Sequence, residues 1–221
     1  RGAEIARPAA APILGVNLGH VGFLAESERD RLQFTVDHVV DRDYTVEERM
    51  TVDVDVLGPD DSRLATDWAL NEVSVEKGAR ERMLDLVAEV DGRALSRWGC
   101  DGVVMATPTG STAYAFSAGG PVVWPTLEAL LMVPISAHAL FARPLVVAPE
   151  SRLAVTVQPD TPGAVMWCDG RRSVDLPPGA RVEVARGMRP VRLARLHVSP
   201  FTDRLVAKFA LPVEGWRGGH A

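Results

Sequence analysis

The run Thr107-Pro-Thr-Gly-Ser-Thr-Ala-Tyr114 is the densest group of small polar side chains in the sequence, and it continues through Ala115-Phe116-Ser117 to Gly119-Gly120. It follows the apolar residues Val103-Val104-Met105, so a strand should run into a loop and then into a helix opening near Ser111 or Thr112. Hydroxyls and a glycine at such a junction expose backbone N–H groups and short donors, which suits a phosphate, a ribose or another polar ligand. A capped helix closed by Gly119-Gly120 uses the same residues without any ligand. The run is not a Walker A loop, because no lysine follows the glycine. It is not a nucleophile elbow either, since Gly110-Ser111 lacks the flanking glycine spacing. Tyr114 can stack on a ligand ring or fill a core.

Asn71-Glu72 pairs an amide with a carboxylate, a combination able to read a base edge or hold a ribose diol; both could equally face water at a strand start. Cys100-Asp101-Gly102 and Cys168-Asp169-Gly170 echo each other, and Asp-Gly is a hairpin-turn signal. Asp101 stands just before the strand that feeds the Thr/Ser run, so its carboxylate should lie near that run. Neither cysteine has a base beside it, which makes both structural thiols. Arg82 lies in a polar connection, either as a solvated loop residue or as a phosphate clamp. The histidines are scattered, and no Cys/His spacing suits zinc. Gly15-x-Asn17-x-Gly19-x-x-Gly22 matches a dinucleotide fingerprint only loosely and reads as a tight strand-to-helix turn.

These residues must be positioned by a chain of 221 residues, 47% of them hydrophobic, with a formal charge of −5. That is enough for one large or two modest domains. The charge argues against a nucleic-acid or anionic-membrane partner, both of which need a basic face. No apolar run reaches membrane-spanning length and no signal peptide is visible, and two cysteines are too few for a disulfide framework, so a cytoplasmic location is the expectation.

Residues 1–7 read as a helix ended by Pro8 and Pro12. Ile13–Val16 reads as a buried parallel strand, and residues 27–40 carry Leu32, Val36, Val39 and Val40 at helical spacing. From Tyr44 to about Val198 the texture changes to short alternating segments: Thr51–Val56, Asn71–Val75, Leu84–Val90, Leu153–Val157, Val165–Cys168 and Arg181–Val184. Turn signals separate them. Pro200–Phe209 reads as a short helix capped by Thr202 or Asp203.

The order Gly15-Val-Asn-Leu-Gly19-His-Val-Gly-Phe-Leu24, Asn71-Glu72, Cys100-Asp101-Gly102 through Tyr114, Pro134-x-x-x-His138 with Arg143-Pro144, and Asp169-Gly170 is similar to that of bacterial NAD kinases. The resemblance covers essentially the whole chain, and the closing Pro200-Phe-Thr-Asp-Arg-Leu and Gly215-Trp-Arg look like actinobacterial members. It implies an α/β remnant of a Rossmann-like N-terminal domain, built from residues 1–43 and 200–221. A β-rich, sandwich-like domain over 44–199 would hold the dinucleotide.

It further implies transfer of a phosphoryl group from ATP or inorganic polyphosphate to the adenosine 2′-hydroxyl of NAD, with Mg²⁺ or another divalent cation, in a homo-oligomer that is a dimer or tetramer. Carried over residue by residue, Asn71 and Glu72 hold the adenosine side and Asp101 contacts the nicotinamide half. Thr112, Ala113, Tyr114, Ala115, Phe116 and Ser117 surround the bound dinucleotide. Arg82 aligns with a ligand-contacting basic residue.

Several positions depart from the family pattern. Arg171 stands where many members have Gln, and Gly99 where some carry a basic residue. The family's Gly-Gly-Asp-Gly-Thr motif, whose aspartate is the proposed base, is absent. Arg1 looks like the arginine that follows it, also on the NAD site, so this chain by itself is expected to form no NADP. A lipid kinase sharing that motif and a non-catalytic dinucleotide-binding module are the competing readings.

Overall fold

Strict alternation in Val52-Asp53-Val54-Asp55-Val56 sends every second side chain to the same side of an extended strand. In a computed structural model those valines are buried and the aspartates are half-exposed. The structure describes residues 1–17, 24–78, 82–196 and 200–213.

In chain order the elements are α1 (Gly2–Ala6), β1 (Gly15–Asn17), β2 (Ala25–Glu28), α2 (Leu32–Val40), β3 (Thr45–Arg49), β4 (Val52–Leu57) and β5 (Arg63–Ala69). Then come β6 (Glu72–Lys77), β7 (Leu84–Val90), β8 (Arg93–Cys100), β9 (Gly102–Ala106), α3 (Tyr114–Ser117), β10 (Leu130–Ile135) and β11 (Leu145–Val147). The chain closes with β12 (Leu153–Val157), β13 (Ala164–Cys168), β14 (Arg172–Leu176), β15 (Arg181–Arg186), β16 (Val191–Arg195) and α4 (Phe201–Phe209).

The chain divides into two compact units, Arg1–Arg49 with Val191–Ala221, and Met50–Pro190. The divisions differ from the 44 and 199 expected, because β3 and β16 pair antiparallel with each other and so stay in the first unit. Alternation alone cannot tell which sheet a strand joins.

In the first unit β1 and β2 form a parallel pair, the α/β signature anticipated around Ile13. The start of the charged 27–40 stretch is the end of β2, and only Leu32 onward is α2. Among the described side chains of α2 the buried one is Thr35, whose hydroxyl donates to Ser27 Oγ at 2.6 Å; Leu32, Val36, Val39 and Val40 are exposed. Neither Thr202 nor Asp203 caps α4: the helix starts one residue too early, after Pro200, so both lie inside its first turn. His20, Gly19, Gly22, His197 and His220 lie outside the described residues.

The second unit is a sandwich of two six-stranded antiparallel sheets, ordered β11-β10-β9-β6-β13-β14 and β5-β4-β15-β12-β7-β8. Its core takes one face of each strand, for example Val73 and Val75 from β6, Val103 and Met105 from β9, and Val54 and Leu86 from the opposite sheet. Each such side chain contributes roughly 1.5–3 kcal/mol on full burial. Trp98 is fully buried there and satisfies its indole N–H on the Phe141 carbonyl at 2.9 Å.

Alternation then fixes what the first sheet shows on its other, outer face. On β9 and β10 that face carries Val104, Ala106, Leu131 and Val133, and it is covered by Ala115 and Val123 in a second, smaller apolar cluster. On β6 it carries Glu72, Ser74 and Glu76. The cover therefore lies over one half of the sheet, and the polar residues mark the other.

Candidate active site

β6 is an interior strand of its sheet, flanked by β9 and β13. Its outer-face side chains Glu72, Ser74 and Glu76 line a pocket together with Tyr114, Trp167 and Gly170. Trp167 is reached through register: it stands opposite Ser74 across the β6–β13 ladder. Tyr114 reaches the pocket because the Thr107–Gly120 segment folds back over the sheet.

Two distant segments fix the entry to β6. Asp169, in the turn after β13, adopts φ +51°. Its carboxylate accepts the backbone N–H groups of Leu70 at 3.0 Å and Asn71 at 2.7 Å. From the other side the Thr107 hydroxyl donates to the Leu70 carbonyl at 2.6 Å, and the Thr107 N–H donates to the Asn71 carbonyl at 2.9 Å. Gly110 lies so close that a Cβ there would run into the carbonyl of Asn71. The motifs around residues 71, 107–110 and 169 thus converge on one peptide. Arg172 holds the same corner, donating to Asp67 at 3.0 Å and to the Trp68 carbonyl, with its guanidinium 5.2 Å above the Trp68 ring.

Glu72 is 7% exposed, and its Oε2 has no hydrogen-bond partner. Burial first, and then the nearby negative charge of Asp169, push its carboxyl up to about 7, against a smaller downward pull from the Tyr114 backbone amide. Buried acceptors are nearly always satisfied, so an orphaned carboxylate oxygen facing a pocket indicates a place for a donor. Burial also pushes the Tyr114 phenol up, with Glu76, Glu72 and Asp101 adding to it.

At the far end of β6, Asp101 accepts from Lys77 Nζ at 2.5 Å. That hydrogen bond is the main reason its carboxyl lies below the ordinary range. Cys100 and Cys168 are buried, and burial raises the Cys100 thiol to about 12 and moves Cys168 upward as well, so both stay protonated and unreactive.

The structure corrects part of the reading of the Thr107–Gly120 run. Its helical part is only a 3-10 turn, Gly110–Thr112, and the four residues of α3, which present no substantial helix N-terminus. The hydroxyls are largely spent internally. Thr107 bonds Leu70, Ser111 donates to the Pro108 carbonyl at 2.7 Å and receives the Val123 N–H at 3.0 Å, and Thr112 donates to the Thr109 carbonyl at 3.3 Å. Ala115 is buried in the second apolar cluster.

Of the residues singled out in the sequence, Glu72 and Tyr114 line the pocket, while Asn71 stands just before β6 and Asp101 just before β9. Thr112 and Ala113 are half-buried, and Phe116 and Ser117 are exposed on α3. Arg82 and Arg171 are exposed at the two connections next to the sheet, and Arg1 belongs to the other unit. Sequence reading passed over Ser74, Glu76, Trp167 and the anchoring role of Asp169. The first two were accessible from the alternation Glu72-Val73-Ser74-Val75-Glu76, whereas the last two depend on strand pairing.

Replacing Asp169 with Asn keeps the shape but turns one acceptor into a donor facing a backbone N–H. The expected cost is about 2 kcal/mol, a fall of roughly 4–8 °C in Tm. Loss of the negative charge also moves the Glu72 ionisation midpoint downward. Thermal melts with the pH profile of the variant check both, and an unmoved midpoint would remove Asp169 as a cause of the Glu72 shift.

Comparison with known proteins now decides the family. Residues 70–196 match the ATP-NAD kinase C-terminal domain and residues 1–44 the ATP-NAD kinase N-terminal domain. NAD kinase 2 of Streptomyces avermitilis is 70% identical over 218 residues, which is 99% of this chain and 72% of that protein. The chain belongs to the NAD kinase family.

The NAD kinase of Thermobifida fusca is 67% identical, over 99% of this chain and 68% of its own length. Among solved structures, an NAD kinase from Archaeoglobus fulgidus in complex with ATP superposes with a TM-score of 0.74 at 32% identity, covering 90% of this chain and 74% of that one. Yeast NADH kinase complexed with NADH shares the fold, with a TM-score of 0.85 over 92% of this chain and 61% of that one, at 24% identity. As an NAD kinase, the protein is a phosphotransferase whose acceptor is NAD.

Proposed function

We propose that the outer face of β6 is the acceptor seat, with the Asn71–Glu72 end holding the adenosine ribose of NAD and the Asp101 end holding the nicotinamide half. The observation that carries this is the buried, unpartnered Oε2 of Glu72 at the pocket. A ribose offers hydroxyl donors, and an ionised carboxylate accepts them. Spacing supports it as well: Glu72 and Lys77, which grips Asp101, are the two ends of β6, about 17 Å apart at the rise of an antiparallel strand. That is the scale of a dinucleotide rather than a mononucleotide.

In this reading Glu72 and Asn71 orient the ribose so that O2′ faces the terminal phosphorus of the donor. The O2′–P bond forms as the bond to the leaving phosphate breaks, and the O2′ proton passes to a carboxylate base. The base is the aspartate of a Gly-Gly-Asp-Gly-Thr motif, which these 221 residues do not contain. The donor is ATP or polyphosphate, and the ATP bound to the archaeal relative supports the first.

A divalent cation would neutralise donor phosphates. Among the described residues no group of three or more His, Cys, Asp or Glu side chains could hold one, so these residues do not fit a protein-held metal and no step here runs through it. Assembly as a dimer or tetramer and a cytoplasmic location belong to the same proposal. The exposed Phe116, Trp124 and Phe141 offer apolar area for assembly, and no described helix is long and apolar enough to cross a membrane.

Asp101→Ala tests the nicotinamide end. NAD affinity by calorimetry is expected to fall about tenfold, as for loss of one charge-assisted hydrogen bond. Unchanged affinity would remove Asp101 from the site.

A further inference from the structure

Asp101 is held at three points. Its backbone N–H donates to the Ile135 carbonyl at 3.0 Å, and its own carbonyl accepts the Lys77 N–H at 3.1 Å. Its carboxylate accepts the Lys77 ammonium through Oδ1 at 2.5 Å. Lys77 and Asp101 each stand one residue beyond Glu76 and Gly102, the end pair of the β6–β9 ladder. Residues directly opposite each other in an antiparallel pair send their side chains to the same side. The ion pair is therefore set by strand register, between residues 24 apart in sequence.

A partly exposed ion pair adds little to stability. What this one does is fix a carboxylate. An aspartate left to water samples several rotamers, and ordering it at the moment of binding weakens the complex. The ammonium takes one acceptor position of Oδ1, and an ionised carboxylate has about four in all. With its side chain 41% exposed, Asp101 keeps acceptor capacity for a ligand while its direction is already set. The Lys77 hydrogen bond is also the first cause that holds the Asp101 carboxyl low, with the Lys77 charge, the Ser136 hydroxyl and His138 adding to it.

We propose that Lys77 is a positioning residue for NAD, its ammonium holding the Asp101 carboxylate in the orientation that accepts a donor hydrogen of the nicotinamide half. The inference rests on the acceptor-seat reading above and adds to it a residue that acts only through Asp101. The backbone bonds of Lys77 and Asp101 do not involve the ammonium, so replacing the lysine side chain leaves the ladder in place.

The test compares the parent with Lys77→Met, Lys77→Arg, Asp101→Ala and the Lys77→Met/Asp101→Ala double variant. NAD affinity is measured by calorimetry, and KM and kcat in the enzyme that also carries the Gly-Gly-Asp-Gly-Thr motif. Lys77→Met is expected to weaken NAD binding and raise its KM about three- to tenfold, with kcat changed less than about twofold. Lys77→Arg, which keeps a cation in reach, should bring KM back to within about twofold of the parent. The double variant should be no worse than Asp101→Ala alone, the signature of two residues acting as one unit. In Lys77→Met the loss of NAD affinity on acidification should begin at higher pH, because Asp101 has lost the partner that keeps it ionised.

If Asp101→Ala weakens NAD binding while Lys77→Met does not, or if the two losses add in the double variant, Lys77 does not act through Asp101 and the inference fails with the acceptor seat intact. Equal losses in Lys77→Met and Lys77→Arg would mark a structural role and overturn it as well. If Asp101→Ala and Lys77→Met both bind NAD like the parent, the nicotinamide end is misplaced and the inference falls with it.

Discussion

Glu72→Gln is expected to make the protein more stable at pH 8 and, in the enzyme that also carries the Gly-Gly-Asp-Gly-Thr motif, to lower kcat/KM for NAD by about a hundredfold, the scale for losing a charged hydrogen-bond acceptor in a catalytic site. The stability gain follows from linkage. The Glu72 carboxyl moves from 4.5 to about 7 on folding, so the folded state binds the proton more tightly than the unfolded one. Its favourable contribution is fully present below pH 4.5 and is lost as pH rises through about 7.

At pH 8 the enzyme therefore carries an ionised, buried carboxylate at a cost of about 2–3 kcal/mol. Glutamine removes the charge but leaves an amide short of a partner, returning about 1 kcal/mol of that gain. A net rise of roughly 3–6 °C in Tm at pH 8, shrinking toward zero at pH 5, is the expected pattern. NAD binding in the parent enzyme should strengthen between pH 6 and 8, as Glu72 ionises around pH 7 and becomes able to accept from the ribose hydroxyls. Full activity in the variant would contradict the role of Glu72 at the ribose, and a stability change that ignores pH would contradict the linkage.

Gly110→Ala is expected to be the most disruptive alanine substitution among the described glycines. The added Cβ would meet the carbonyl oxygen and carbon of Asn71, backbone atoms that cannot swing aside. That peptide is held on its other side by Asp169 and by Thr107, so relief requires breaking at least one of those bonds. The expected cost is about 3–5 kcal/mol, a fall in Tm of roughly 10 °C or more. Because the displaced residue adjoins Glu72, KM for NAD should rise even under conditions where the variant is folded. Gly119→Ala is the contrast. That glycine, at φ +85°, has open space where a Cβ would stand, so only backbone strain of about 1 kcal/mol is at stake. Equal losses from the two substitutions would mean that contact with Asn71 is not what Gly110 provides.

Much of the fold was legible because the alternating segments are two-sided. Leu84–Val90 and Leu153–Val157 matched β7 and β12 to the residue, since each has one face that must be buried and flanks that break the strand. β3 and β16 were harder to place. Nothing in Thr45–Arg49 says that its partner lies at Val191–Arg195, so the boundary between the two units was read several residues away from where the pairing puts it. The helix in the Thr/Ser run was overstated for a related reason. Small hydroxyl residues compete for backbone groups as readily as they start helices, and here Thr107 and Ser111 took the first course.

What the sequence determined by itself was the family and the extended, two-sided character of the segment that follows Asn71. The order of Asn71-Glu72, the Thr107–Tyr114 run and Asp169-Gly170 needs no coordinates, and neither does the period-two pattern that puts Glu72, Ser74 and Glu76 on one face. The tertiary structure decided which of these residues act on one another. Asp169 reads as a turn residue until β13 pairs with β6 and brings its carboxylate to the amides of Leu70 and Asn71. Glu72 reads as an ordinary acid until burial and that same aspartate raise it to about 7. Trp167 reads as one more strand residue until register sets it opposite Ser74. Local pattern follows from covalent geometry and polarity, which the chain carries within a few residues, whereas desolvation and the coulombic field depend on atoms about a hundred residues away in sequence, such as Asp169 and Asn71, that only folding brings together.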